Sequence, residues 1–180
     1  MSTVPGARDD TRSVTATDAT DRSELRLVRV GLGHPDALTL IEAVQEEYVR
    51  RYGERDSTPL DPAMFDPPRG SFFVGYDDAV PVASGAWRRR DDVAAFGTTE
   101  AAEIKRMFVV PEARGRGHAR TMLAHLERTA AVAGARVMIL ETGTAQPEAI
   151  ALYESSGYVL IPSFGYYSWA PENRCFGKSL

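Results

Sequence analysis

The stretch Met107-Phe108-Val109-Val110-Pro111-Glu112-Ala113-Arg114-Gly115-Arg116-Gly117-His118-Ala119-Arg120-Thr121-Met122-Leu123 holds a strand, a basic glycine turn and a helix start, with no spare residues between them. Met107 to Val110 are apolar and β-prone, and Pro111, which has no N–H for a ladder, stops the strand. Arg114-Gly115-Arg116-Gly117 forms the turn. Ala119, Met122, Leu123, Leu126 and Ala130 then fall at the spacing of one helix face. Glycines without Cβ let backbone N–H groups converge on one concavity. The helix N-terminus adds roughly half a positive charge, and Arg114, Arg116 and Arg120 add more. The chemistry this suits is a phosphate or pyrophosphate.

Three phosphate-binding designs share such a turn. A P-loop is excluded, because no Gly-Lys-Ser/Thr follows the glycines. A Rossmann turn wants a third glycine where Arg120 stands, and too little chain follows to complete a doubly wound sheet. Glu141, ending the next strand where a ribose-binding acid would sit, is the one point in its favour. The third design is Arg-x-x-Gly-x-Gly/Ala, here Arg114, Gly117 and Ala119. By itself the turn also reads as a solvated basic helix start.

The flanking segments decide between these. Ala102-Glu-Ile-Lys-Arg-Met-Phe-Val109 precedes the turn, and Glu141-Thr-Gly-Thr-Ala-Gln-Pro-Glu-Ala-Ile-Ala-Leu-Tyr-Glu-Ser-Ser-Gly-Tyr158 follows it. With these three motifs in register, the chain closely resembles the GNAT superfamily of acyl-coenzyme-A-dependent N-acetyltransferases. The match runs from about Ala102 to Leu180, and the order of elements agrees from about Leu25. The resemblance implies an α/β (α+β) fold: a mixed sheet of about seven strands with about four helices. Its two central parallel strands splay, and the acyl-carrying arm of the cofactor lies between them.

Composition sets outer limits. The chain has 180 residues, 43% of them hydrophobic, enough for one core. A net charge of −4 argues against a general nucleic-acid or anionic-membrane binder. One cysteine, Cys175, allows no internal disulfide, so a cytoplasmic setting is expected. No apolar run approaches the roughly 18 residues of a membrane span, and no secretory h-region is visible. Residues 1–23 are polar without an apolar period and are expected to be a disordered tail before an acetyltransferase domain over residues 24–180. His34, His118 and His125 are scattered, so no metal site is expected.

Along the chain, strands are expected at residues 25–30, 71–76, 82–89, 102–110, 136–141, 158–161 and about 174–178. Helices are expected at residues 35–52, 116–133 and 147–156, with a short one near 62–65.

An amine must be neutral to attack a thioester. With a pKa of about 10.4, an exposed alkylamine is neutral in roughly one molecule in a thousand at about pH 7.4, a deficit of about 4 kcal/mol. A general base is therefore useful. Glu103 sits where histone acetyltransferases of the superfamily carry theirs. Glu141 sits where the bacterial ribosomal-protein acetyltransferases do. Each also reads as an ion pair, Glu103 with Lys105 or Arg106. Glu103 is preferred, because its even separation from Met107 keeps both on one strand face unless a bulge intervenes. The third option is that neither carboxylate is the base. The resemblance makes Tyr153 the general acid for the leaving thiolate, and Tyr158 a packing residue.

The resemblance also assigns the cofactor contacts. The backbone of Met107, Phe108 and Val109 would bind the pantetheine arm and polarise the thioester carbonyl. Arg114, Gly115, Arg116, Gly117, His118 and Ala119 would hold the pyrophosphate, with His118 otherwise a solvent-facing helix residue. Gln146 stands where many relatives have an asparagine that hydrogen-bonds the arm. Cys175 reads as a buried structural cysteine rather than an acyl nucleophile.

Acceptor contacts in the superfamily come from the first helical region, the loop at 91–100 and the C-terminal strands. Tyr48, Tyr52, Phe164, Tyr166 and Tyr167 are therefore the candidate acceptor residues. With Trp169, and beside Glu54 and Asp56, they would suit an amine with an apolar body. The expected activity is acetyl transfer from acetyl-coenzyme A to a small primary amine. A protein lysine or N-terminus is the alternative acceptor, and a non-catalytic coenzyme A-binding module the alternative of another class. A homodimer is left open.

Overall fold

The computed structural model describes residues 24–59 and 61–180; the tail expected at 1–23 lies outside the described residues. Within these residues seven strands form one sheet: β1 (Arg26–Val30), β2 (Gly70–Asp77), β3 (Val80–Arg89), β4 (Ala101–Val109), β5 (Val137–Gly143), β6 (Val159–Leu160) and β7 (Asn173–Ser179). Their order is β1-β2-β3-β4-β5-β7-β6. All neighbours are antiparallel except the central β4–β5 pair, which is parallel. Among the described residues three α-helices accompany the sheet, α1 (Pro35–Tyr52), α2 (His118–Val132) and α3 (Pro147–Ser155), with 3-10 turns at Pro62–Phe65 and Pro111–Ala113. The expected fourth helix is thus the 3-10 turn at Pro62–Phe65.

Local chemistry sets the ends of α1. Pro35 opens it with a preset φ, and the His34 ring accepts the Asp36 N–H at 3.3 Å as an N-cap. Gly53, at φ 82°, closes it by donating to the Val49 carbonyl.

Both faces of β2 to β4 are covered, which is why these strands read as nearly continuous apolar runs. Leu40 and Val44 of α1 pack on Phe72, Val74, Ala86 and Phe108 on one face. On the other, Met122, Leu123 and Leu126 of α2 meet Phe73, Ile104, Met138 and Leu140. Truncating any of these buried leucines to alanine costs about 2–5 kcal/mol by transfer and cavity terms.

Two departures from regular pairing build the site. The β4–β5 ladder has only three rungs, Ala101↔Val137, Ala102↔Met138 and Glu103↔Ile139. Beyond them β4 follows β3 while β5 follows β7, so the sheet opens between its central strands. A bulge in β4 accompanies the opening: Ala86 faces Lys105, but Ser84, two residues on, faces Phe108. Arg106 sits in the bulge with φ 54°, and its carbonyl accepts a 2.8 Å bond from the buried Ser84 hydroxyl. The extra residue reverses the facing of the strand beyond it. Met107 packs toward α2, whereas Phe108 joins the α1 side. Strand parity had put Glu103 and Met107 on one face, and the bulge removes that argument.

Candidate active site

A cleft of about 540 Å³ opens where β4 and β5 part. Its walls include Lys105, Arg106 and Met107 from β4, and Glu141 to Gly143 from β5. Tyr48 and Tyr52 enter from α1, and Tyr153 from α3. Tyr167 and Trp169 close the far side, in the segment between β6 and β7.

The two carboxylates expected as bases occupy different settings. Glu103 is 0% exposed and does not line the cleft. Arg88 and Arg90 reach its Oε2 at 2.8 and 2.6 Å, and Lys105 Nζ lies 2.8 Å from Oε1. Burial alone would raise its pKa, but Lys105, Arg88 and Arg90 outweigh burial and hold it below the usual carboxylate range. Arg106, the other expected partner of Glu103, pairs instead with Asp56.

Glu141 lines the cleft. Asn173 Nδ2 donates to Oε1 at 3.2 Å, and Lys105 Nζ approaches Oε2 at 3.5 Å. Burial pushes its pKa up, Lys105 opposes this, and the negative charge of Glu103 adds to the rise. Gly165, at φ 84°, passes so close that a Cβ there would collide with the Glu141 carboxylate. A left-handed glycine is thus needed on both counts.

Tyr153 is buried, with its ring 5.6 Å from Tyr158 and 6.3 Å from Phe176. Burial, and secondarily Tyr48, push its pKa above the ordinary phenol value. It is therefore protonated at neutral pH and able to donate. Tyr158 is buried as a packing residue, and Cys175 is buried in β7.

At the glycine turn, Gly115 and Gly117 adopt φ 75° and 88°, with nothing within 4 Å of where a Cβ would stand. Gly117 is the N-cap of α2 and supplies no side-chain cap, so the first N–H groups of the helix face an open cradle. That cradle fits a pyrophosphate. The arginines are held back against the protein. Arg114 donates to the Val109 carbonyl at 3.0 Å, Arg116 pairs with Asp77 at 2.5 Å, and Arg120 bonds Ser155 and Ser156. Ala119 is half-buried on α2. His118 is not solvent-facing: it is 6% exposed, and its Nε2 is buried without a hydrogen-bond partner among the described residues.

The aromatic candidates divide. Tyr48, Tyr52 and Tyr167 line the cleft, as does Trp169, which is 76% exposed at the rim. Phe164 and Tyr166 do not. Phe164 packs against Ala95, Ala101, Val137 and Ile139, and Tyr166 meets Tyr167 edge-on at 4.9 Å. Burial pushes the Tyr48 hydroxyl up to about 12.

A network that sequence reasoning missed joins the walls. Asp56 pairs with Arg106 and accepts from Tyr167 Oη at 3.1 Å. Tyr167 Oη in turn accepts the Ser57 N–H at 2.8 Å. The signal was the adjacent cations Lys105 and Arg106, which break period-two alternation inside a buried strand. Among the described residues, no group of three His, Cys, Asp or Glu is placed to hold a metal ion. No helix among them is long and apolar enough to cross a membrane.

Comparison with known proteins agrees with this architecture. A protein of Azospirillum brasilense described as an IAA acetyltransferase is 44% identical over 78 residues, which is 43% of this chain and 51% of that protein. The match thus spans about half the length of the curated relative. A Klebsiella pneumoniae protein assigned as an acyl-CoA N-acyltransferase superposes with a TM-score of 0.71 at 23% identity, covering 88% of this chain and 99% of that one. The PaiA N-acetyltransferase of Thermoplasma acidophilum, solved in complex with coenzyme A, superposes with a TM-score of 0.64 at 13% identity, over 87% and 99% of the two chains. These structures share the fold. The family described as Acetyltransferase (GNAT) matches residues 41–158, and with that match across most of the chain, this protein belongs to the GNAT acetyltransferase family.

Proposed function

We propose that this chain transfers an acetyl group from acetyl-coenzyme A to a small primary amine by direct attack in a ternary complex. Members of the family use acetyl-coenzyme A. The observation that carries the reading is the meeting of Glu141 and Tyr153 on one cleft at the β4–β5 opening. The cradle at the α2 N-terminus takes the pyrophosphate, and the unpaired edge of β4 beyond Glu103 takes the pantetheine arm.

Glu141 is the base. It lines the cleft, and burial gives it a higher proton affinity than an ordinary carboxylate. Glu103 is disfavoured, because both oxygens already face cations and neither reaches the cleft. Tyr153 protonates the departing thiolate, closing the proton balance: one proton leaves the amine and one reaches sulfur. The cleft aromatics Tyr48, Tyr52 and Tyr167 contact the apolar body of the acceptor.

The test is release of free coenzyme A thiol across a panel of amines, lysine peptides and IAA, the compound in the relative's name. Glu141→Gln and Tyr153→Phe should each lower kcat by roughly 10- to 1000-fold while acetyl-coenzyme A still binds. Turnover only with lysine peptides would replace the small-amine acceptor by a protein. Binding without turnover of any acceptor would leave a coenzyme A-binding module.

A further inference from the structure

Lys105 stands where the central ladder ends. Glu103↔Ile139 is the last rung, and in a parallel pair the residues two further on, Lys105 and Glu141, would be next on the same face. The backbones have parted by then. The Lys105 side chain nevertheless spans the gap, with Nζ 2.8 Å from Glu103 Oε1 and 3.5 Å from Glu141 Oε2. Its side chain is 10% exposed, so the charge is nearly enclosed and depends on these carboxylates.

The three groups form a graded series. Glu103 is anchored from behind by Arg88 and Arg90 of β3 and faces Lys105 on its free side. From β7, Glu141 meets Asn173 and the Cys175 thiol; the Gly165 backbone adds no charge. Elsewhere on the cleft wall, Arg106 pairs with Asp56, Arg51 with Glu148 and Arg55 with Glu42, while Glu54 and Glu172 are exposed to solvent. Lys105 is therefore the cation nearest to Glu141. Without it, Glu141 would face the negative charge of Glu103 across the opening.

We infer that Lys105 is a positioning residue: it aims the Glu141 carboxylate into the cleft and sets the pH at which it accepts a proton, with Glu103 acting only as its anchor. The inference rests on the reading of Glu141 as the base. It recasts the two rival carboxylates as one arrangement in which Glu141 meets the amine.

The experiment is the pH dependence of kcat at saturating acetyl-coenzyme A and amine, for wild type, Glu141→Gln, Lys105→Met and Lys105→Arg. The acid limb belonging to Glu141 is the one that Glu141→Gln abolishes. Removing an opposite charge at this distance should move that limb upward by about one pH unit or more in Lys105→Met. Lys105→Arg should restore it, and the acetyl-coenzyme A KM should stay within about twofold of wild type. Lys105→Gln replaces the Met variant if thermal melting shows the latter unfolded. A limb unmoved in a folded neutral variant, or moved equally by Met and Arg, overturns the inference while leaving Glu141 as the base. A limb that survives in Glu141→Gln overturns the base assignment itself, and the inference with it.

Discussion

Gln146 Nε2 donates to Tyr52 Oη at 3.0 Å, joining the last turn of α1 to the start of α3 across the mouth of the cleft. The same turn is held twice more. Arg51 donates to the Ala145 carbonyl at 2.7 Å and pairs with Glu148. Tyr52 also lies so close to β5 that a Cβ on Gly143 would collide with its hydroxyl. Tyr52 thus engages the amide expected to hold the cofactor arm.

Tyr52→Phe frees that amide without emptying the space. Acetyl-coenzyme A should bind about two- to tenfold more tightly by calorimetry, the range matching a net hydrogen bond of about 0.5–1.5 kcal/mol. Unchanged affinity would remove Gln146 from the cofactor site.

Gly117→Glu should weaken acetyl-coenzyme A binding by more than about tenfold, because it puts a side chain and a negative charge into the cradle at φ 88°. Gly117→Asn is the control, since asparagine tolerates the left-handed region and carries no charge. If calorimetry gives both variants the wild-type affinity, the pyrophosphate lies elsewhere.

Tyr167→Phe removes the hydroxyl that bonds Asp56 and Ser57 but keeps the ring. Without that tether the ring is no longer fixed where it would meet the acceptor, so the acceptor KM should rise about three- to tenfold while the acetyl-coenzyme A KM stays within about twofold. Tyr166→Ala, on the outer side of the segment, should leave both nearly unchanged. The reverse pattern would move the acceptor pocket out of the cleft.

Glu103 links stability to pH. Its folded pKa is below its ordinary value of 4.5, so its contribution is present above that value and lost as pH falls through the folded one. Asp56, held below 3.8 chiefly by Arg106 against the opposing effect of burial, acts in the same direction. Glu141 has the opposite sign: its raised pKa contributes below pH 4.5 and is lost as pH rises through its folded value. Glu103→Gln should cost about 3–5 kcal/mol near neutral pH, since Arg88, Arg90 and Lys105 would remain buried around a neutral group. It should also flatten the loss of melting temperature below about pH 4.5. A melting curve with the wild-type acid slope would place the acid sensitivity elsewhere.

Much of the fold was legible because its signals are local. Pro35 and Gly53 bound α1, and the turn before α2 is spelled in consecutive residues whose backbone preferences need no distant partner. The seven strands likewise follow from short apolar runs punctuated by glycine, proline and polar turns. The parallel central pair came from motif resemblance, since pairing partners are not written in either strand.

Which carboxylate lines the cleft was not legible. Glu103 and Glu141 are both acids on central strands, and alternation along β4 favoured the former. A bulge at Arg106, a residue with no intrinsic preference for φ 54°, cancelled that argument, and the arginines of β3 closed around Glu103. Phe164 and Tyr166 failed as cleft residues for a similar reason. They share a segment with Tyr167 and Trp169, but which rings face inward depends on what Asp56, Ser57 and the end of β5 present to them. The sequence alone determined the glycine turn at the start of α2, because φ-permissive glycines and a helix start are properties of adjacent residues. The tertiary structure alone decided which carboxylate meets the cleft, because burial and charge pairing arise only when residues far apart in the chain are brought together.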